Sequence, residues 1–260
     1  MAITLRSPRE IELMRRASTV VADVLSKLQK VAEPGVTTAQ LDRVALQMTA
    51  DAGAQALFKG VRSPYARIPF PGAICASVNE QVVHGIPSED MKLQEGDILS
   101  IDFGVRLDGY CGDAAVTIAI GEVSESKRRL MEVTKHVLDI AVATVAPKVK
   151  WSQVAATMQD YAESAGFSVV KDFVGHGIGR QMHEEPRLPN FVSNDLIAND
   201  IILSEGMVLA VEPMINSGTS AVRTLRNGWT VVTKDGKCSA HFEHTIVIVK
   251  DGCEVLTDRN

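Results

Sequence analysis

Apolar residues recur at helical spacing twice, then at strand spacing, and the chain then repeats this order. Ile11, Met14, Val21, Leu25 and Leu28 share one face of a helix. Ser7-Pro8-Arg9-Glu10 opens that helix. Ser is the N-cap, Pro sits at the first helical position where no N–H is needed, and Glu closes a capping box. Pro34-Gly35 ends it. Thr37 and Gln40 form a second box, and Leu41, Val44 and Met48 line a helix that stops at Gly53. In the second half Leu130, Val133, Val137 and Ala141 make a face that stops at Pro147. Val154, Met158 and Tyr161 make another that stops at Gly166. Pro34 to Gly53 and Pro147 to Gly166 are both separations of 19 residues.

The strands that follow also repeat. Glu95-Gly96 leads into Asp97-Ile98-Leu99-Ser100-Ile101-Asp102, and Glu205-Gly206 into Met207-Val208-Leu209-Ala210-Val211-Glu212. Upstream, His84-Gly85-Ile86 echoes His176-Gly177-Ile178. Downstream, Ala114 to Ile120 after Asp113 echoes Thr245 to Val249 after Glu243. Helices followed by runs of strands indicate an α+β fold, not an alternating parallel sheet. Two such halves, about 1–122 and 123–260, fit one domain spanning 1–260 around a pseudo-twofold axis.

Composition removes other classes. The 260 residues suffice for a sizeable core. Lys plus Arg number 27 against 32 Asp plus Glu, a formal charge of -5, so no specific nucleic-acid partner is expected. No apolar run approaches the ~18 residues of a membrane span, and the charged N-terminus carries no secretory pattern. Cys75, Cys111, Cys238 and Cys253 form no CxxC pair, which suits reduced thiols in the cytoplasm.

Four carboxylates stand where core residues would be expected. Asp102 and Glu212 end apolar strands, while Asp113 and Glu243 precede them. One such residue alone would reach solvent or meet an arginine. An unpartnered buried carboxylate costs several kcal/mol. The repeat makes Asp102 equivalent to Glu212, and is expected to make Asp113 equivalent to Glu243. Four carboxylates converging on one point call for divalent cations, and His176 in Gly175-His176-Gly177-Ile178-Gly179 would bias the choice toward a transition metal. Five ligands are too many for one tetrahedral zinc and suit two ions.

These motifs also carry a resemblance. Asp102 with Asp113, the GHGIG around His176, the VEPM around Glu212 and the FEHT around Glu243 resemble the methionine aminopeptidases. So do Asn79 to Pro87, His183-Glu184-Glu185-Pro186 and Arg223-Thr224 to Gly228-Trp229-Thr230. The likeness runs from residue 5 to 257 and is closest to the type I, bacterial-like form, with neither the zinc-binding extension nor the long insertion of type II. It implies the pita-bread (creatinase/aminopeptidase) fold: a curved antiparallel sheet flanked by helices, with internal pseudo-twofold symmetry.

The resemblance further implies a cytoplasmic, monomeric metalloprotease that removes the initiator methionine from nascent polypeptide N-termini, at the ribosome where they emerge, preferring a small second residue. Asp102 and Asp113 would hold one metal, with Asp113 and Glu243 bridging, and His176 and Glu212 would complete the other. Cobalt, manganese, Fe(II) or zinc could fill the pair. A metal-bridging water would attack the amide carbonyl, with Glu212 as proton acceptor. His84 would meet the scissile nitrogen and His183 the oxyanion. Without the resemblance, His84 reads as a loop imidazole capping backbone and His183 as a partner for Glu184 or Glu185. Cys75, Tyr65, Met182 and Trp229 would wall the methionine pocket, although the proline-rich stretch from Phe58 to Pro71 departs from the pattern. Met1-Ala2 would itself be a substrate sequence.

His136 reads as a solvated helix residue. His241 and His244 flank Glu243 as candidate supports for that carboxylate, with strand alternation expected to turn them off its face. Asp102-Phe103-Gly104 lacks the companions of a kinase motif, and Gly175-x-Gly177-x-Gly179 is not a dinucleotide fingerprint. Two rivals remain: a proline-type aminopeptidase or dipeptidase on the same fold, and a non-catalytic peptide-binding module.

Overall fold

A computed structural model describes residues 3–258; Met1-Ala2 lies outside them. The first half runs α1 (Pro8–Val31), α2 (Thr38–Asp51), β1 (Gln55–Ala56), β2 (Ile74–Val78), β3 (Gln81–Val83), β4 (Ile98–Leu107) and β5 (Tyr110–Ala119). The second half opens with α3 (Glu125–Thr144), α4 (Trp151–Ser164), β6 (Ser168–Val169), β7 (Gly175–Gly177) and β8 (Glu184–Leu188). It continues through α5 (Asn194–Ala198), β9 (Val208–Val211), β10 (Met214–Asn216), β11 (Val222–Thr224) and β12 (Val231–Thr233). It ends with β13 (Ser239–His241), β14 (His244–Val249) and β15 (Gly252–Val255).

The helix starts follow from local chemistry. Ser7 Oγ accepts from the Glu10 N–H while Glu10 accepts from the Ser7 N–H, as the capping box requires. Thr37 and Gln40 repeat the arrangement at α2. The apolar faces of α1 and α3 then pack on the strands, with Leu25, Leu28, Leu130 and Val137 fully buried in one cluster with Phe103 and Leu209. Each such side chain contributes about 1.5–3 kcal/mol by leaving water. No helix among the described residues is long and apolar enough to cross a membrane.

All strand pairs used here are antiparallel. β4 lies between β2 and β5, and β9 lies between β7 and β14. The two trios meet where β5 runs beside β14. The Glu243 N–H donates to the Ala115 carbonyl at 3.0 Å. On either side of that bond a threonine hydroxyl straps the opposite backbone. Thr245 Oγ1 donates to the Asp113 carbonyl at 2.7 Å and accepts the Asp113 N–H at 3.2 Å. Thr117 Oγ1 does the same for His241, at 2.8 Å for each bond.

This reciprocal seam defines the relation between the halves and corrects two of the expected equivalences. A twofold that exchanges Thr117 with Thr245 exchanges Asp113 with His241 and Ala115 with Glu243. Asp113 is therefore not the counterpart of Glu243. Asp102 opposes Ala115, and Glu212 lies one residue past the Val211–His244 pair, beside Glu243. The equivalence of Asp102 and Glu212 thus agrees with the register. His176 opposes Ala210, and in the first half the matching position opposite Ser100 is Ser77. The counterpart of His176 is Ser77, while His84 lies beyond β3 in a loop.

Candidate metal centre and adjoining pocket

The pleat gathers the acidic groups. In β4, Asp102 and Gly104 point to one face, and Gly104 opposes Asp113 of β5. Asp102 and Asp113 are therefore diagonal neighbours on the same side. Gly104 leaves the space: a Cβ there would stand 2.9 Å from Asp113 Oδ1. In the other trio His176 opposes Ala210, two residues before Glu212, which places imidazole and carboxylate on one face. His176 Nε2 lies 3.6 Å from Glu212 Oε1 and 3.9 Å from Asp113 Oδ2. Donor atoms of Asp113, His176 and Glu243 all lie within 4.8 Å of one another.

The surroundings fit a cation. Asp102 Oδ1 and Asp113 Oδ1 are buried and accept no hydrogen bond from the described residues. His176 Nδ1 faces the Gly177 carbonyl at 3.0 Å. A carbonyl only accepts, so Nδ1 carries the proton and Nε2 presents its lone pair inward. Burial pushes the Asp102 carboxyl from 3.8 up to about 7. Burial, then the charge of Asp102, drives Asp113 well above the carboxylate range. Burial followed by Asp102 and Asp113 does the same to Glu212. Desolvation lowers His176 to about 4, with His183 adding to it. Acids pushed toward neutrality beside an imidazole held unprotonated form an oxygen-rich donor set that bound cations would ionise.

Above this floor is a cavity of about 130 Å³. Drug-sized sites run to ~300–1,000 Å³, so this one suits a single side chain. Phe58, Val61, Phe70, Cys75, Met182 and Trp229 wall it, and His84, His176 and His183 border it with the acidic groups. Phe70 and Trp229 pack edge to face at 5.3 Å. The Trp229 N–H donates to the Ile68 carbonyl at 3.0 Å. Cys75 opposes Asp102 in the β2–β4 register, and burial, then Asp102 and Asp113, raise its thiol well above its usual range.

Two histidines reach the cavity from loops. His84 has a φ of 58°, the left-handed region, and its ring meets Phe173 edge-on at 5.4 Å. The next residue explains the strain: a Cβ on Gly85 would lie 2.2 Å from the Ala76 carbonyl oxygen, so the chain is pressed against β2. Burial, then His183, lowers His84 to about 4. His183 is more exposed at the mouth, and its ring lies 4.4 Å from that of His176. Partial desolvation lowers it as well. Its loop is anchored by the buried Arg6 guanidinium on Glu184 and by Cys111 N–H donating to Gly179 at 2.8 Å.

The structure thus brings together Asp102, Asp113, His176, Glu212, Glu243, His84, His183, Cys75, Met182 and Trp229. Tyr65 is a correction. Its side chain is 84% exposed and is absent from the cavity wall. The segment returns on itself through Phe70 N–H to Val61 and Gly60 N–H to Phe70, which turns Phe70 inward and leaves Tyr65 at the tip. Phe58, Val61 and Phe70 went unread because no periodic pattern orients a proline-rich loop; only their apolar character marked them. A second correction concerns His241, which faces the centre: Nε2 is 3.7 Å from Glu212 Oε2. Burial, then His84, lowers it to about 3. His244 turns away and meets Thr257 Oγ1 at 2.9 Å. His136 is exposed and packs on Tyr161 at 4.6 Å.

Fold and donor set place the chain in a class of metal-using hydrolases. The description Metallopeptidase family M24 matches residues 12–250, and the chain belongs to that family. Its relatives narrow the assignment. It is 46% identical over 255 residues to a methionine aminopeptidase of Clostridium acetobutylicum, covering 98% of each chain. The crystal structure of a methionine aminopeptidase from Thermotoga maritima superposes with a TM-score of 0.93 at 40% identity, covering 99% of this chain and 100% of that one. A prolidase from Pyrococcus furiosus gives a TM-score of 0.76 at 19% identity over 98% of this chain and 66% of its own, a likeness of fold alone. The architecture is the pita-bread fold expected from the sequence.

Proposed function

We propose that the protein is a metal-dependent exopeptidase that releases methionine from polypeptide N-termini, with a small residue following. The observation that carries this is the pairing of a carboxylate-and-imidazole floor, bearing unpartnered Asp102 and Asp113 oxygens, with a side-chain-sized pocket of soft and aromatic groups. A thioether suits such walls, since sulfur packs well on aromatic edges.

Asp102, Asp113, His176, Glu212 and Glu243 would together hold two divalent ions. Manganese, Fe(II), cobalt and zinc all match this ligand set, and availability chooses among them. The bound ions would supply an activated water and a polarised amide carbonyl. The protein's own groups do the rest. Glu212 takes the proton released by the attacking water and passes it toward the departing nitrogen. His84 holds the scissile amide nitrogen from one side. His183 offers an N–H to the developing oxyanion from the mouth. Cys75, Met182, Phe70 and Trp229 seat the first side chain, so the bond after it lies over the acidic floor.

The domain reading is one catalytic unit of two halves, 1–122 and 123–260, with the chemistry at their seam. The same reading has the enzyme act in the cytoplasm, as a monomer, on nascent chains as they leave the ribosome. Hydrolysis of Met-Ala-Ser with added Co²⁺ or Mn²⁺ tests the activity. A folded protein that releases no methionine in a metal-dependent way overturns it. X-Pro peptides in the same assay separate the proline-peptidase reading, and a His176→Ala protein with full activity overturns the site assignment.

A further inference from the structure

The twofold at the seam leaves one inward-facing group without a role. It carries Asp113 onto His241, because Thr117 straps the His241 backbone as Thr245 straps that of Asp113. Asp113 sits diagonal to Asp102, and His241 bears the same relation to Glu212. The His241 ring is 1% exposed, and neither ring nitrogen has a hydrogen-bond partner among the described residues. A buried polar group in that state is costly and calls for an explanation. Its backbone cannot relieve the cost by moving. Both its N–H and carbonyl are tied to Thr117, and β13 holds it opposite Met214.

The acceptor it faces is Glu212 Oε2, 3.7 Å from Nε2. The other oxygen of that carboxylate, Oε1, faces His176 Nε2 at 3.6 Å. Glu212 therefore lies between two imidazoles, one at each oxygen. His176 has committed its Nδ1 proton to Gly177 and offers a lone pair. An imidazole carries at least one N–H in every protonation state it adopts here, so His241 can supply what His176 cannot.

We propose that His241 is a positioning residue, donating its Nε2–H to Glu212 Oε2 and so turning Oε1 toward His176 and the metal-binding floor. The proposal rests on the metallopeptidase reading of the site. His241 touches neither substrate nor metal in this role; it fixes which oxygen of Glu212 remains to ligate and which lone pairs are already spent. Partners that orient a ligating group in this way typically govern metal affinity.

The test compares His241→Gln, whose side-chain amide can donate over a similar reach, with His241→Leu, which cannot. Metal affinity is read without substrate, by titrating the metal-free proteins with Co²⁺ and following its visible absorption. Met-Ala-Ser kinetics are run alongside. His241→Leu is expected to lose about 10–100-fold in Co²⁺ affinity, while His241→Gln stays within about threefold of wild type. In the kinetics kcat falls for the Leu variant and KM holds. Wild-type affinity in His241→Leu overturns the proposal. So does a Gln variant as impaired as the Leu one, since the imidazole itself would then be the requirement. A wild-type protein that fails to take up Co²⁺ overturns the metal reading instead. Should His241→Leu not fold, ¹⁵N spectra of the wild-type ring decide: an Nε2–H tautomer supports the proposal, and an Nδ1–H tautomer overturns it.

Discussion

Stripping the metal should reverse the usual preference of a folded protein for neutral over mildly acidic solution. In the metal-free protein Asp102 titrates at about 7 against 3.8 when unfolded, because burial disfavours its charged form. Asp113 and Glu212 are shifted in the same direction, by burial and then by neighbouring carboxylates. A raised acid binds its proton more tightly in the folded state. Its favourable contribution is complete below the unfolded pKa and disappears as pH climbs through the folded one. The histidines pull the other way, more weakly. His84 and His176 sit at about 4 and His241 at about 3, so they are neutral when folded, while an unfolded imidazole is half-protonated at pH ~6.5; each therefore regains ~0.4 kcal/mol by pH 8. From pH 6.5 to 8 the carboxyls outweigh them.

Across that window a carboxyl titrating at about 7 gives up ~0.8 kcal/mol. Each group that stays protonated throughout gives up as much as ~1.4 kcal/mol per pH unit. Relaxation of the site and the opposing histidines trim the total to ~2–4 kcal/mol, or on the order of 5–10 °C in Tm for a chain of this size. Thermal melts followed by circular dichroism, with chelator and with saturating Mn²⁺, measure it. The chelated protein should melt lower at pH 8 than at pH 6.5, and the loaded protein should not. Asp113→Asn should flatten the chelated profile and abolish the rise in Tm on adding Mn²⁺. A chelated wild-type Tm that holds or rises over this range would refute the convergence of the carboxyl groups.

Three further outcomes follow from single contacts. Gly104→Ala puts a Cβ 2.9 Å from Asp113 Oδ1 and 3.4 Å from the Phe58 ring, so isothermal titration should show metal affinity down about tenfold with a stability cost of ~1–3 kcal/mol. Ser7→Ala removes the N-cap of α1 and should cost about 1 kcal/mol, lowering Tm by a few degrees while leaving the Mn²⁺ dissociation constant unchanged. Trp229→Ala removes one wall of the pocket and the edge contact with Phe70, so steady-state kinetics should show KM for Met-Ala-Ser raised about tenfold and methionine discriminated less sharply from norleucine.

The legible parts of the chain are those where a local rule acts alone. Helix starts were readable because a capping box is complete within four residues, and Ser7 and Thr37 both form one. Asp102 and Glu212 were readable as a pair because each follows an apolar run that the repeat duplicates, although β4 continues past Asp102 to Leu107. His176 was readable as a candidate from its glycine-flanked motif, but not its counterpart. Matching His84 to His176 relied on a shared His-Gly-Ile, whereas strand register places Ser77 there. The pocket loop failed for a different reason. Between Phe58 and Phe70 neither helical nor strand period applies, and the direction of each side chain depends on the two backbone bonds that close the loop. Tyr65 and Phe70 are both aromatic residues followed, at some distance, by Cys75, and only the closed loop decides which one turns inward.

The seam shows why the site needed both halves and why its symmetry is incomplete. A duplicated sheet delivers two inward-facing positions per strand pair, so the twofold would by itself produce matched ligands. What the chain carries instead is Asp113 against His241 and Ala115 against Glu243. If both positions of both pairs were acidic, six carboxylates would meet at the seam, each adding repulsion that a bound cation would have to offset. Ala115 removes one, and His241 replaces another with a group that donates to a carboxylate instead of opposing it. The threonine straps keep the backbone symmetric while the side chains between them differ. The shared geometry of the seam thus belongs to Thr117 and Thr245, and its asymmetry belongs to Asp113, Ala115, His241 and Glu243, where the halves disagree.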